Sequence, residues 1–255
     1  MVEALEIFDR IVCGVDGSPQ SLEAARQAER LRSPEGMLRL VAVADMSTAV
    51  HAGYEMSRVI DQLDAAAREG LERATADVKP ASAELLAGYP VKRLLDEIVQ
   101  TNATLVAVGP RGHSRAAGIL LGRVATELLH NAPCATLCAR EPRFGQFPSS
   151  VIVGVDGSPE SLAAAAVAAS IAERFGSERV TVAATGGMDI QLEAVQELGP
   201  DLVVDPGRPV ETLTELSKEA DLLVVGSRGL HGLRALGSVS ERVAHHAQCS
   251  VLVVR

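Results

Sequence analysis

Aromatic residues make up 2% of this 255-residue sequence, and tryptophan is absent. Surfaces that stack nucleic-acid bases on aromatic rings are thereby excluded. Positive charge is also scarce: 24 Lys and Arg stand against 33 Asp and Glu, for a net charge of -9. Affinity for a phosphate backbone comes from clustered cations, so nucleic acid is not an expected partner. No apolar run approaches the roughly 20 residues of a membrane span, and the opening MVEALEIFDR has no apolar core of the signal-peptide kind. The expected location is the cytoplasm, without a membrane partner. Cys13, Cys134, Cys138 and Cys249 form no C-x-x-C pair, which fits free thiols in a reducing compartment. His51, His113, His130, His231, His245 and His246 offer no metal-ligand spacing. With no Ser-His-Asp order and no paired catalytic carboxylates either, neither a metal nor an enzyme is expected.

What the sequence does have is an internal repeat. GVDGSP occurs at Gly14 to Pro19 and again at Gly154 to Pro159. GPRG at Gly109 to Gly112 answers GSRG at Gly226 to Gly229, and APCATLCAR ending at Arg140 answers AQCSVLVVR ending at Arg255. Three blocks matched in order define two domains, expected over 1–140 and 151–255. The connector EPRFGQFPSS at 141–150 carries the Pro, Gly and Ser of a linker, with Phe144 and Phe147 expected to pin it to a domain surface.

Apolar runs near 10–15, 38–44, 83–87, 104–109 and 135–139 read as strands. Between them, apolar residues spaced by three and four (Leu22, Ala25, Ala28, Leu31; Ile60, Leu63, Ala67, Leu71) read as helices. Strands alternating with helices of this length give right-handed crossovers and an α/β fold, a five-stranded parallel sheet with helices on both faces. The second repeat matches at 151–155, 180–184, 202–204, 222–226 and 250–254. It is abbreviated: Asp156 lies 140 residues after Asp16, Gly207 119 after Gly88, and Cys249 115 after Cys134. Most of the loss falls between its first and third strands, where a helix at about 189–198 replaces one at about 55–78. One sheet face there is expected to be thinly covered, open to another chain.

The matched blocks fall where strands end and helices begin. Asp16 and Asp156 end the first strand of each repeat, before Gly-Ser-Pro. They serve either as helix-entry acceptors or as carboxylates leaning into a crevice above the sheet to bind a ligand. After the fourth strand come Gly109-Pro-Arg-Gly112, nine residues, then Gly122-Arg123-Val124; the second copy has Gly226-Ser-Arg-Gly229, seven residues, then Gly237-Ser238-Val239. Glycines let backbone N–H groups approach an anion, and a helix N-terminus adds positive partial charge. Ser238 is expected as a helix cap or a phosphate donor. Arg111 and Arg228 are exposed loop cations or phosphate contacts. No Gly-Lys-Ser/Thr follows, so this is not a Walker loop. If the strand order reverses between strands one and four, each Asp and its glycine loop line one crevice.

With IVCGVDGSP, VIVGVDGSP, the GPRG and GSRG loops and LGSVSERVAHHAQCSVLVVR, the chain resembles the universal stress protein family in its tandem two-domain form, over about residues 9 to 255. The resemblance implies an adenine nucleotide alpha hydrolase-like fold and, in many members, an ATP or AMP site. It implies a base-side carboxylate at Asp16 and Asp156, a residue ending strand two at Val43 and, in the second copy, Thr185. It also implies a phosphate motif at Gly109, Gly112 and Gly122. Both copies depart from the pattern: Arg123 stands where Ser or Thr is usual, and the second loop is two residues short. The implied function is a stress-response nucleotide-sensing module; a nucleotide-free scaffold and a slow ATPase are the alternatives. Family members dimerise through the fifth strand, so 135–139 and 250–254 are expected to pair, within one chain as a pseudo-dimer or between two chains of a homodimer.

Overall fold

In a computed structural model, residues 8–47, 56–112, 121–143, 145–186, 190–199, 201–227 and 237–255 are described. The chain divides into two compact units, Phe8–Cys134 and Ala135–Arg255. In the first, β1 (Arg10–Val15), α1 (Pro19–Leu31), β2 (Met37–Asp45), α2 (Met56–Asp77), β3 (Ser82–Gly88), α3 (Pro90–Thr101), β4 (Leu105–Val108) and α4 (Arg123–Asn131) follow in alternation. The strands lie in the order β3-β2-β1-β4, every pair parallel. The order reverses at β1, whose neighbours are β2 on one side and β4 on the other, so a crevice opens above the C-terminal ends of β1 and β4.

The second unit begins with β5 (Ala135–Cys138) and β6 (Ser150–Gly154), then α5 (Pro159–Phe175), β7 (Glu178–Ala184), α6 (Leu192–Gln196), β8 (Leu202–Asp205), α7 (Pro209–Leu216), β9 (Leu222–Gly226), α8 (Ser238–His246) and β10 (Ser250–Val254). Its order is β5-β10-β9-β6-β7-β8. All pairs are parallel except β5 with β10, which is antiparallel with Cys138 opposite Val251 and Leu137 opposite Leu252. The fifth strands of the two repeats thus pair within one chain. Arg140 locks that pairing: its guanidinium donates to the carbonyls of Ala244 (2.7 Å) and Cys249 (3.2 Å), and its backbone N–H to Ser250 Oγ (2.9 Å).

Parallel strands covered on both faces need no alternation of apolar and polar residues, and β4, β9 and β10 are buried at every position. Ile11, Leu38, Leu40, Ile98, Leu105 and Leu128 fill the first core, and Leu137, Ile171, Leu222 and Leu223 the second. Helix α1 buries Leu31 together with Ala24, Ala25 and Ala28, and the small alanine side chains let it lie close to the sheet. The asymmetry legible in the sequence is present: α2 has 22 residues and α6 five. On β8, at the edge of the sheet, Val203 and Val204 are each 49% exposed. In the connector, Phe147 is buried and Ser149 N donates to Asp221 Oδ2 at 3.0 Å; Phe144 lies outside the described residues.

Candidate functional site

The turn after β1 is set by one backbone constraint. Gly17 has φ +80° and its repeat partner Gly157 φ +86°, a left-handed conformation that other L-residues adopt at a cost. This bend lets Asp16 Oδ1 accept from the backbone N–H of Ser18 (2.9 Å) and from its hydroxyl (2.6 Å). Ser18 Oγ in turn caps α1 by accepting from Ser21 N at 3.2 Å. Ser21 Oγ donates to the Ser18 carbonyl (3.0 Å) and accepts from Asp16 N (3.2 Å). The second copy repeats the network: Asp156 Oδ1 accepts from Ser158 N (2.9 Å) and Oγ (2.6 Å), and Ser161 stands where Ser21 does. Sequence reasoning missed Ser21 and Ser161, although both copies carry Asp-Gly-Ser-Pro-x-Ser.

The two readings of the aspartate divide between its oxygens. Oδ1 belongs to the helix entry, while Oδ2 points at the glycine loop after β4: a Cβ built on Gly112 would lie 2.2 Å from it. Acidic wall and glycine wall therefore meet above β1 and β4, with Asp16 half-buried and Gly112 and Arg111 exposed. The register of β1 on β2 pairs Val15 with Ala42, so Val43 stands level with Asp16, two residues before β2 ends. In the second unit Gly154 pairs with Val182, so Ala184 is level with Asp156, and Thr185 sits one residue beyond, its N–H held by the Asp205 carbonyl at 2.8 Å.

The glycines of the loop do different things. Gly109 and Gly226 admit a helix: a Cβ there would come within 2.9 Å of the Gln20 carbonyl carbon or 2.7 Å of that of Glu160, in the first turns of α1 and α5. Gly122 and Gly237 close the loops, donating to the carbonyls of Pro110 (2.7 Å) and Ser227 (2.6 Å). They are also the N-caps of α4 and α8, and neither helix has a side-chain cap. The expectation of Ser238 as a cap is corrected here: Gly237 takes the extended cap conformation, and Ser238 becomes the exposed first residue of α8. A helix N-terminus without a side-chain cap carries positive partial charge from its first amides. Val124 and Val239, each second in its helix, are half-buried. Arg123 is exposed, with Nε 3.7 Å from Glu127 one turn on. Arg228 and Gly229 lie outside the described residues.

Cys13, directly beneath this crevice on β1, is fully buried, and desolvation pushes its thiol far above the ordinary range; burial raises Cys138 to about 11 and Cys249 to about 12. These thiols pack. Among the described residues no three His, Cys, Asp or Glu gather closely enough to hold a metal ion, and no helix is long and apolar enough to cross a membrane.

The family model for universal stress proteins matches residues 7–140 and 184–255. The chain belongs to that family. Universal stress protein Rv1996 of Mycobacterium tuberculosis is 32% identical, with 96% of this chain and 94% of that protein covered. Universal stress protein Rv2005c of the same organism is 31% identical, with 96% of each covered. Among solved structures, a universal stress protein from Archaeoglobus fulgidus shares the fold, with a TM-score of 0.72 at 22% identity over 96% of each chain. Asp16 and Asp156 occupy matching places in their units, each just beyond the strand at which the sheet order reverses.

Proposed function

We propose that the chain binds an adenine nucleotide, ATP or AMP, in the crevice above β1 and β4, and that it senses the nucleotide rather than turning it over. The observation that carries this reading is the approach of Asp16 Oδ2 to Gly112, beside the N-terminus of α4. A carboxylate there accepts hydrogen bonds from a ribose or a base, while main-chain amides and a helix N-terminus favour phosphate. In this reading Val43 flanks the base, and Gly109, Gly112, Gly122 and Val124 supply the phosphate side. Arg111 and Arg123 add cations there, Arg123 by exchanging its long contact with Glu127 for a phosphate oxygen.

The second copy carries the corresponding residues Asp156, Gly226, Gly237, Ser238 and Val239 on a shorter loop. Its exposed Ser238 hydroxyl, unused in capping, suits a phosphate contact. A nucleotide-free scaffold is the competing reading, favoured by one observation: Arg123 replaces a small hydroxyl and has an acidic partner of its own. Mass spectrometry of small molecules released from the purified, denatured protein separates the two. Stoichiometric adenine nucleotide supports the binding reading; a protein that elutes empty and then takes up neither ATP nor AMP supports the scaffold.

A further inference from the structure

Helix α2 touches the candidate site through a reciprocal glycine contact. A Cβ on Gly17 would lie 2.8 Å from Gly70 Cα, and a Cβ on Gly70 would lie 2.8 Å from both the Asp16 carbonyl carbon and the Gly17 nitrogen. Gly70 is an interior residue of a 22-residue helix, where glycine is less favourable than alanine, and only its bare Cα lets the helix rest on that peptide. The contact also fixes the height of α2. It meets the loop that follows β1, so Gly70 lies at the C-terminal edge of the sheet. From there α2 runs down toward the start of β3. The 14 residues from Met56 to Glu69 precede that contact and rise roughly 21 Å beyond it at 1.5 Å per residue.

The face of this overhang that continues the Gly70 side is apolar. Ala67 is buried, and Leu63, Ile60 and Val59 are half-buried, spaced at three and four so that they form one stripe. The second unit has no such wall among its described residues. There Gly157 is covered by Gln191, whose Cβ lies 2.5 Å from where a Cβ of Gly157 would stand, and Gln191 N donates to the Asp156 carbonyl at 2.9 Å. The helix that follows has five residues.

We propose that the overhanging half of α2 is the base wall of the first site, with Leu63 and Ile60 against one face of an adenine ring, and that the chain encloses a single adenine nucleotide, in its first unit. The inference rests on the nucleotide-binding reading above. An adenine ring suits this wall because its faces are flat and uncharged, and because the stripe continues directly from the Asp16 peptide.

The test is calorimetric titration of AMP into the wild-type protein and into the Leu63→Glu variant, with acrylamide quenching of bound 1,N6-etheno-AMP as a direct report on base exposure. The wild-type protein is expected to take one AMP per chain and to shield the fluorophore. Leu63→Glu is expected to weaken AMP about tenfold or more and to leave the fluorophore open to quencher, with circular dichroism showing that the variant is folded. Two equivalent sites, or a Leu63→Glu protein that binds AMP normally with a shielded base, overturns the wall. A wild-type protein that takes no AMP removes the binding reading itself and this one with it.

Discussion

Replacing Gly112 by alanine tests whether the two walls of the crevice work as a pair. The new Cβ would stand 2.2 Å from Asp16 Oδ2, while ordinary contact begins near 3.4 Å, so one wall must retreat by about 1 Å. If the carboxylate turns away, it gives up its bonds from Ser18 N and Ser18 Oγ, of 2.9 and 2.6 Å. A hydrogen bond to a charged group is worth about 1.5–3 kcal/mol, enough to lower the melting temperature by several degrees. If the exposed loop moves instead, stability holds. In both cases the carboxylate and the loop amides lose their common focus on a ligand, and loss of one charged hydrogen bond weakens nucleotide about 10- to 150-fold. Calorimetry with ATP or AMP reads the affinity, and a thermal melt tells which wall moved. Unchanged affinity in Gly112→Ala would refute the pairing of Asp16 with the loop.

Ser18→Ala and Ser158→Ala each remove an N-cap and a donor to the neighbouring carboxylate, and each should cost about 1–2 kcal/mol in chemical denaturation; a cost below about 0.3 kcal/mol would show that the caps contribute little. Gly226→Ala would drive a Cβ within 2.7 Å of Glu160 backbone atoms, and since neither helix nor strand end can yield cheaply, the second unit should lose about 2 kcal/mol or more, visible as a separate or broadened melting transition. The thiols give a pH dependence. Cys138 and Cys249 are raised by burial from 9.0 to about 11 and about 12, and Cys13 is raised further. Because the unfolded thiols ionise first, this contribution to stability is complete below pH 9 and is lost as pH climbs toward the folded values. Stability should therefore fall above pH 9, and native protein at pH 8 should resist thiol reagents that label it fully in denaturant.

Most of the architecture was legible because a doubly covered parallel sheet writes its strands as unbroken apolar runs. β4, β9 and β10 are such runs, and the repeat of Gly-Val-Asp-Gly-Ser-Pro fixed the ends of β1 and β6. The length difference between α2 and α6 followed from residue spacing alone. The site was only half legible. That Asp16 lies at the switch point came from topology; that its two oxygens face different partners did not, because side-chain direction is set by the left-handed Gly17 and by Ser21, five residues away. Gly109 and Gly226 read as anion-binding glycines, yet each is required by the approach of a helix. Gly70 passed as an ordinary residue of an amphipathic helix, although an isolated glycine at such a position is itself a sign of close backbone packing. Ser238 looked like a cap by residue type, and the cap fell one residue earlier because the Gly237 N–H is held by the Ser227 carbonyl.

The most direct test of the account is titration of ATP into the wild-type protein and into Asp16→Ala at fixed salt and pH. The account predicts saturable binding by the wild type and an affinity lower by about 10- to 150-fold in the variant, with both proteins folded. Equal affinities, or no binding by either, would contradict it.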